Sequence, residues 1–75
     1  MNALEAKEKM NTVKNQLELG AVVVELLRQH SEIEKSKEES FLQTAERLRP
    51  INPELSELMA YANHRWMELE KIRRS

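Results

Sequence analysis

Residues 17–27 read LELGAVVVELL, and only Glu18 and Glu25 are charged among them. A surface helix needs one apolar stripe. This segment has more. At a step of about 100° per residue, Leu17, Gly20, Val24 and Leu27 share one side. Leu19, Val22 and Leu26 project from the far side, and Val23 lies between. Any fold of this chain must cover two faces of one helix.

The first of these faces continues towards the N-terminus. Ala3, Ala6, Met10, Val13, Leu17, Gly20, Val24 and Leu27 recur at alternating steps of three and four, a heptad-like stripe. Asn2 and Glu5 have the spacing of a capping box, so a first helix is predicted over about 3–29. Its Ala and Gly members suit close helix approach. Inside a helix Gly20 costs about 1 kcal/mol against Ala, and a close crossing or a mild kink would account for it.

The chain has 75 residues, a net charge of −1 and no Cys. That length allows one domain with a small core, of the kind that often needs a partner. Disulfides and thiolate ligands are excluded, and the lack of Cys suits a reducing cytoplasm, the expected compartment. No apolar run approaches the roughly 18 residues of a membrane span, so no membrane role is expected. The start, MNALEAKEKM, lacks the apolar core of a secretory signal.

Glu, Leu, Lys, Ala, Gln, Arg and Met dominate, all good helix formers, so the expected class is all-α. The clearest break is RPINP, residues 49–53. Pro50 disfavours helical geometry at Arg49. Asn52 is a good N-cap, and Pro53 fits the first helical position. A last helix is therefore predicted over 53–73. Between the two lies HSEIEKSKEES, residues 30–40, with one apolar residue, Ile33. Ser31 with Glu34, and Ser36 with Glu39, are possible capping boxes. A break between about 29 and 37 is preferred, with a middle helix over about 32–49. The rival is one unbroken helix over 3–48, because the heptad register survives the segment although three successive positions turn polar. The expected architecture is a three-helix bundle or long, coiled-coil-like helical hairpin that self-associates.

In the last helix, Leu55, Leu58, Met59, Ala62, Trp66 and Leu69 fall within one arc, so Trp66 is expected to anchor the core. His64 falls on the opposite side with Glu57, Glu68 and Lys71. Tyr61, Arg65 and Ile72 flank the apolar arc on one edge, where Tyr61 and Arg65, four residues apart, can meet. Tyr and Arg are enriched at binding hot spots. Tyr61, Arg65 and Ile72 are therefore candidate partner contacts. Leu19, Val22, Val23 and Leu26 are candidate dimer contacts, because a second copy could cover a face that so short a chain leaves open.

Catalytic chemistry is not expected. The chain has no Gly-rich phosphate loop and no HExxH. His30 and His64 have no helical reason to converge. Glu32, Glu34, Glu38 and Glu39 lack the Asp/Asn-Gly loop of a calcium site. No metal or cofactor is expected. The charges are uneven: residues 30–46 carry two Lys and five Glu, and residues 47–75 carry six Lys or Arg and four Glu. Arg47, Arg49, Arg65, Lys71, Arg73 and Arg74 could form a basic patch, or compensate the dipoles of the helices they end.

Residues 54–69, ELSELMAYANHRWMEL, resemble a helix of the Hha/YmoA modulators of nucleoid proteins at His64-Arg65 and Glu68-Leu69. Asn63 stands where that family has Asp, and the rest of the chain departs from the pattern, so no family is assigned. The expected function is that of a small helical interaction module. It would act as an adaptor, small chaperone or inhibitor of a larger protein, including a phage- or plasmid-encoded one, and as a homodimer. The alternative is a weak DNA-binding or nucleoid-modulating protein using the basic C-terminal half.

Overall fold

The computed structural model describes residues 2–30 and 39–74. Among the described residues there are four helices and no strand, and 82% are helical. The helices are α1 (Ala3–Thr12), α2 (Gln16–Arg28), α3 (Phe41–Leu48) and α4 (Pro53–Arg74). α4 packs against all three others, α1 also packs against α2, and α3 meets only α4.

The first helix is not continuous over 3–29, as the stripe predicts. It ends at Thr12, turns through extended residues at Val13 and Asn15, and restarts at Gln16. Asn15 caps the restart by accepting the Glu18 N–H at 2.9 Å. α1 and α2 fold back on each other, so that Asn2 and Ala3 share a cleft wall with Leu26 and His30, and Lys9 reaches Glu25 at 3.6 Å. Asn2 caps α1 as its spacing predicts, accepting the Glu5 N–H at 2.9 Å.

The turn changes which face of α2 is inside. Leu19 (0% exposed), Val23 and Leu26 (2%) are core, joined by Ala6, Met10 and Val13 from α1 and the α1–α2 turn. Leu17 is 85% exposed and Val24 52%. The expected seam is thus buried at Ala6, Met10 and Val13 and open to water at Leu17 and Val24. Leu19, Val23 and Leu26, expected on an open dimer face, are covered by the chain itself. Val22 and Leu27 are half-buried and pack against the core. The physical reason is economy of burial. Folding back brings α1 onto the inner face of α2, and each large aliphatic removed from water stabilises by about 1.5–3 kcal/mol.

α3 starts later than the predicted 32–49. Ser40 caps it in a full capping box: the Gln43 N–H donates to Ser40 Oγ at 3.1 Å, and the Ser40 N–H donates to Gln43 Oε1 at 2.9 Å. The boxes proposed at Ser31 and Ser36, and the choice between a break and a continuous helix there, involve residues 31–38, outside the described residues. Glu39 forms a bidentate pair with Arg47, both contacts at 3.0 Å.

The RPINP reading matches the start of α4. Asn52 accepts the Leu55 N–H at 3.1 Å, with Pro53 as first residue. The Ser56 hydroxyl donates to the Ala45 carbonyl and fixes α3 against α4. Leu55, Leu58, Met59, Ala62 and Leu69 are buried as projected. Trp66 is half-buried rather than central. It packs edge-on against Phe41, with centroids 5.5 Å apart and planes at 85°.

The inversion of α2 is open to a direct test. Leu26→Ala should destabilise by about 2–5 kcal/mol, whereas Leu17→Ala should change stability by less than about 0.5 kcal/mol. Urea denaturation would read both; comparable losses would contradict the burial pattern.

Candidate functional site

The α1–α2 joint has no Pro and no Gly to force it. Its geometry is held from α4. The Arg65 guanidinium donates to the carbonyls of Met10 at 2.9 Å, Val13 at 2.9 Å and Asn11 at 3.5 Å. The last carbonyls of a helix lack intrahelical donors and carry the negative end of its dipole. A planar cation with several fixed donors suits them. One turn away, the Tyr61 hydroxyl donates to Asn11 Oδ1 at 2.6 Å. Tyr61 and Arg65 lie four apart and reach the same end of α1. They do not stack on each other as the sequence suggested; the cation over the Tyr61 ring is Lys7, 5.6 Å from its centroid.

The restart of the chain is tied to α4 as well. The Gln16 amide donates to Glu70 Oε2 at 2.7 Å, and Glu70 pairs with Arg73 at 3.1 Å and Arg74 at 3.0 Å. The Gln16 hydrogen bond, and then the two arginines, hold the Glu70 carboxyl below its ordinary range. Tyr61 and Arg65, candidate partner contacts by sequence, are thus contacts between α4 and the end of α1. Ile72, the third member of that edge, is 62% exposed.

The exposed apolar surface of interest is the outer face of α2. Leu17 and Val24 are two helical turns apart on one side, with Gly20 and exposed Ala21 between them. A Cβ at Gly20 would meet nothing within 4 Å. Among the described residues no helix crosses closely at Gly20, and Leu17, Gly20, Ala21 and Val24 form a ridge with a gap in its middle. Leu17, Gly20 and Val24 belong by periodicity to the seam, yet Leu17 and Val24 are exposed and Gly20 is half-buried. The missed signal was local: Asn15 and Glu18 repeat the capping-box spacing of Asn2 and Glu5.

The basic C-terminal half is mostly occupied. Arg47 pairs with Glu39, Arg65 with α1 carbonyls and Glu68, and Arg73 and Arg74 with Glu70. His64 is exposed beside Glu68 at 3.6 Å. At the far end from the joint, Asn2 and Ala3, Leu26 and His30, and Asn52, Glu54, Leu55 and Leu58 line a half-open cleft of about 130 Å³. That is well below the roughly 300–1,000 Å³ of small-molecule sites. Among the described residues, no group of three or more His, Cys, Asp or Glu could hold a metal ion. No helix among them is long and apolar enough to cross a membrane.

No protein-family model, curated protein or solved structure matches the chain.

Two outcomes follow from the joint. Arg65→Ala should cost about 2–3 kcal/mol, since each hydrogen bond to a charged group contributes about 1.5–3 kcal/mol. Arg65→Lys, which keeps the charge but loses the fork, should recover only part; full recovery in thermal melts would reduce Arg65 to a point charge. Because the Glu70 carboxyl sits low in the folded state, its stabilisation is present above the ordinary carboxylate range and is lost as pH falls through the lowered value. The stability advantage of wild type over Glu70→Gln should therefore shrink steadily on acidification below about pH 4.3, the usual glutamate value. A difference independent of pH would contradict this.

Proposed function

We propose that this protein is a helical interaction module that acts by binding rather than by catalysis, as an adaptor, small chaperone or inhibitor. Its docking surface is the outer face of α2, and what it docks is an amphipathic helix of a protein partner. The observation that carries this reading is the exposure of Leu17 and Val24 around the open space at Gly20. Two large aliphatics on one side of a single helix, with a gap between them, suit helix-on-helix packing, in which the ridges of one helix enter the gaps of the other. The basic half supports nucleic-acid binding less well, because four of its six basic residues already face carboxylates.

A photo-crosslinking amino acid at Ala21, expressed in the native host, should give a discrete protein adduct. The same group at Glu57, on the exposed side of α4, should not. Leu17→Glu should abolish the Ala21 adduct without unfolding the chain. No adduct from Ala21, or equal labelling from both positions, would overturn the reading, as would retention of random-sequence DNA that weakens steeply with salt.

A further inference from the structure

α1 lies on the fold as a docked helix lies in a groove. It packs against both α2 and α4. Ala6 and Met10, with Val13 just beyond its end, join the core. Its lysines divide between the two walls. Lys9 pairs with Glu25 of α2 at 3.6 Å. Lys7 pairs with Glu57 of α4 at 3.6 Å and lies over the Tyr61 ring. Its last carbonyls go to Arg65. Apolar anchors at helical spacing, with charges on the flanks, are what helix-in-groove recognition reads.

This attachment is thin. α1 has 10 residues, fewer than the roughly 12–15 that an isolated helix needs. Met10 is its one large buried side chain, and both lysine pairs are exposed to water, where such pairs contribute little. The other helices have ties of their own. Gln16 of α2 donates to Glu70 and to the Trp66 carbonyl of α4, and Ser56 of α4 donates to Ala45 of α3. α1 also underfills its groove. At its first turn the half-buried Ala3 leaves a half-open cleft of about 130 Å³ against Leu26, Leu55 and Leu58.

We propose that α1 is an autoinhibitory helix. It opens about Val13–Asn15 while α2, α3 and α4 stay packed, and the groove it leaves takes an amphipathic helix of a protein partner. This groove is on the inner side of α2 and is independent of docking on the outer side. The resident helix and the cleft together define the partner's chemistry. Its helix carries apolar residues at the spacing of Ala6, Met10 and Val13, lysine on both flanks for Glu25 and Glu57, and a large aliphatic where α1 has Ala3. A second copy's α1 would make only the contacts already made and gain nothing by exchange, because a ligand shifts an equilibrium only by its differential affinity. The side chain that fills the cleft supplies that difference.

The test uses the full chain and a fluorescent peptide of residues 2–15, with and without Ala3→Leu, read by anisotropy. The leucine peptide should bind roughly tenfold more tightly than the alanine one, through the added apolar burial. Lys7→Glu/Lys9→Glu in the chain weakens the resident helix at its surface. It should tighten binding of the leucine peptide by about three- to tenfold, because apparent affinity scales with the open fraction. Should that variant lose its helical circular dichroism, Asn2→Ala, which removes only the cap of α1, takes its place. Ala3→Leu in the chain fills the cleft from within and should weaken peptide binding. Leu17→Glu, on the outer side of α2, should leave it unchanged, although it abolishes the Ala21 adduct. In hydrogen exchange the Met10 amide should open ahead of Met59. No binding of either peptide to the weakened chain, equal binding of the two peptides, loss of binding on Leu17→Glu, or exchange at Met10 only with the whole fold would each overturn the proposal.

Discussion

One guanidinium decides the shape of the N-terminal half. Arg65 donates to three carbonyls at the end of α1, 52 to 55 residues away in sequence. A helix that stops in the middle of an amphipathic stripe leaves carbonyls that its own next turn would have bonded. Water could take them, but this end lies against α4. The buried Met10 and Val13 flank it on the inside. A cation with a fixed fork of donors satisfies the carbonyls and the helix dipole together. Asn15 and Gln16 complete the joint on the other side, one capping α2 and the other reaching Glu70.

The packing follows from that turn. α2 carries apolar residues on two sides, and a chain this short has too few other apolar residues to cover both. Folding α1 back commits the side bearing Leu19, Val23 and Leu26 to the core and leaves Leu17 and Val24 in water. α4 can serve α1, α2 and α3 at once because it runs for 22 residues and carries its apolar arc along most of that length. Leu55, Met59 and Ala62 form its fully buried centre, with Ser56 turned to α3 and Tyr61 and Arg65 to α1. The core therefore thins towards Trp66, whose edge contact with Phe41 closes it on the α3 side.

The helical class and the whole of α4 were legible in the sequence, because Pro50, Asn52 and Pro53 act through local backbone chemistry. The same holds for the Asn2 cap. The joint was not legible from periodicity. A straight helix and a folded-back pair share the same heptad spacing up to Val13, and what separates them is a contact to a residue more than fifty positions away. The local clue was Asn15 with Glu18, but a stripe running through eight positions outweighed it. Ser40 was passed over for a similar reason: Ser31 and Ser36 offered Glu three residues on, whereas the partner of Ser40 is Gln43, equally able to reach back. Of the candidate contacts, Tyr61 and Arg65 were picked for their chemistry, which the fold uses within the chain. Leu19, Val23 and Leu26 were picked for their hydrophobicity, which the core uses.

The functional weight then falls on what the fold leaves unexplained. Ion pairs on a surface contribute little to stability, so the glutamates beside Arg47, Arg73 and Arg74 would not by themselves exclude phosphates. They do lower the local positive field on which non-specific nucleic-acid binding depends, and Arg65 is turned inward. The basic residues also have a structural purpose at the helix ends, where cations offset the dipole. Among the described residues no comparable purpose exists for Leu17, Val24 and Gly20. Two aliphatics forgo burial, and a glycine weakens a helix interior without any neighbour close enough to require it. A helix from outside the fold would bury the first two and occupy the space above the third. For that reason the proposed docking surface is the outer face of α2 rather than the charged C-terminal half.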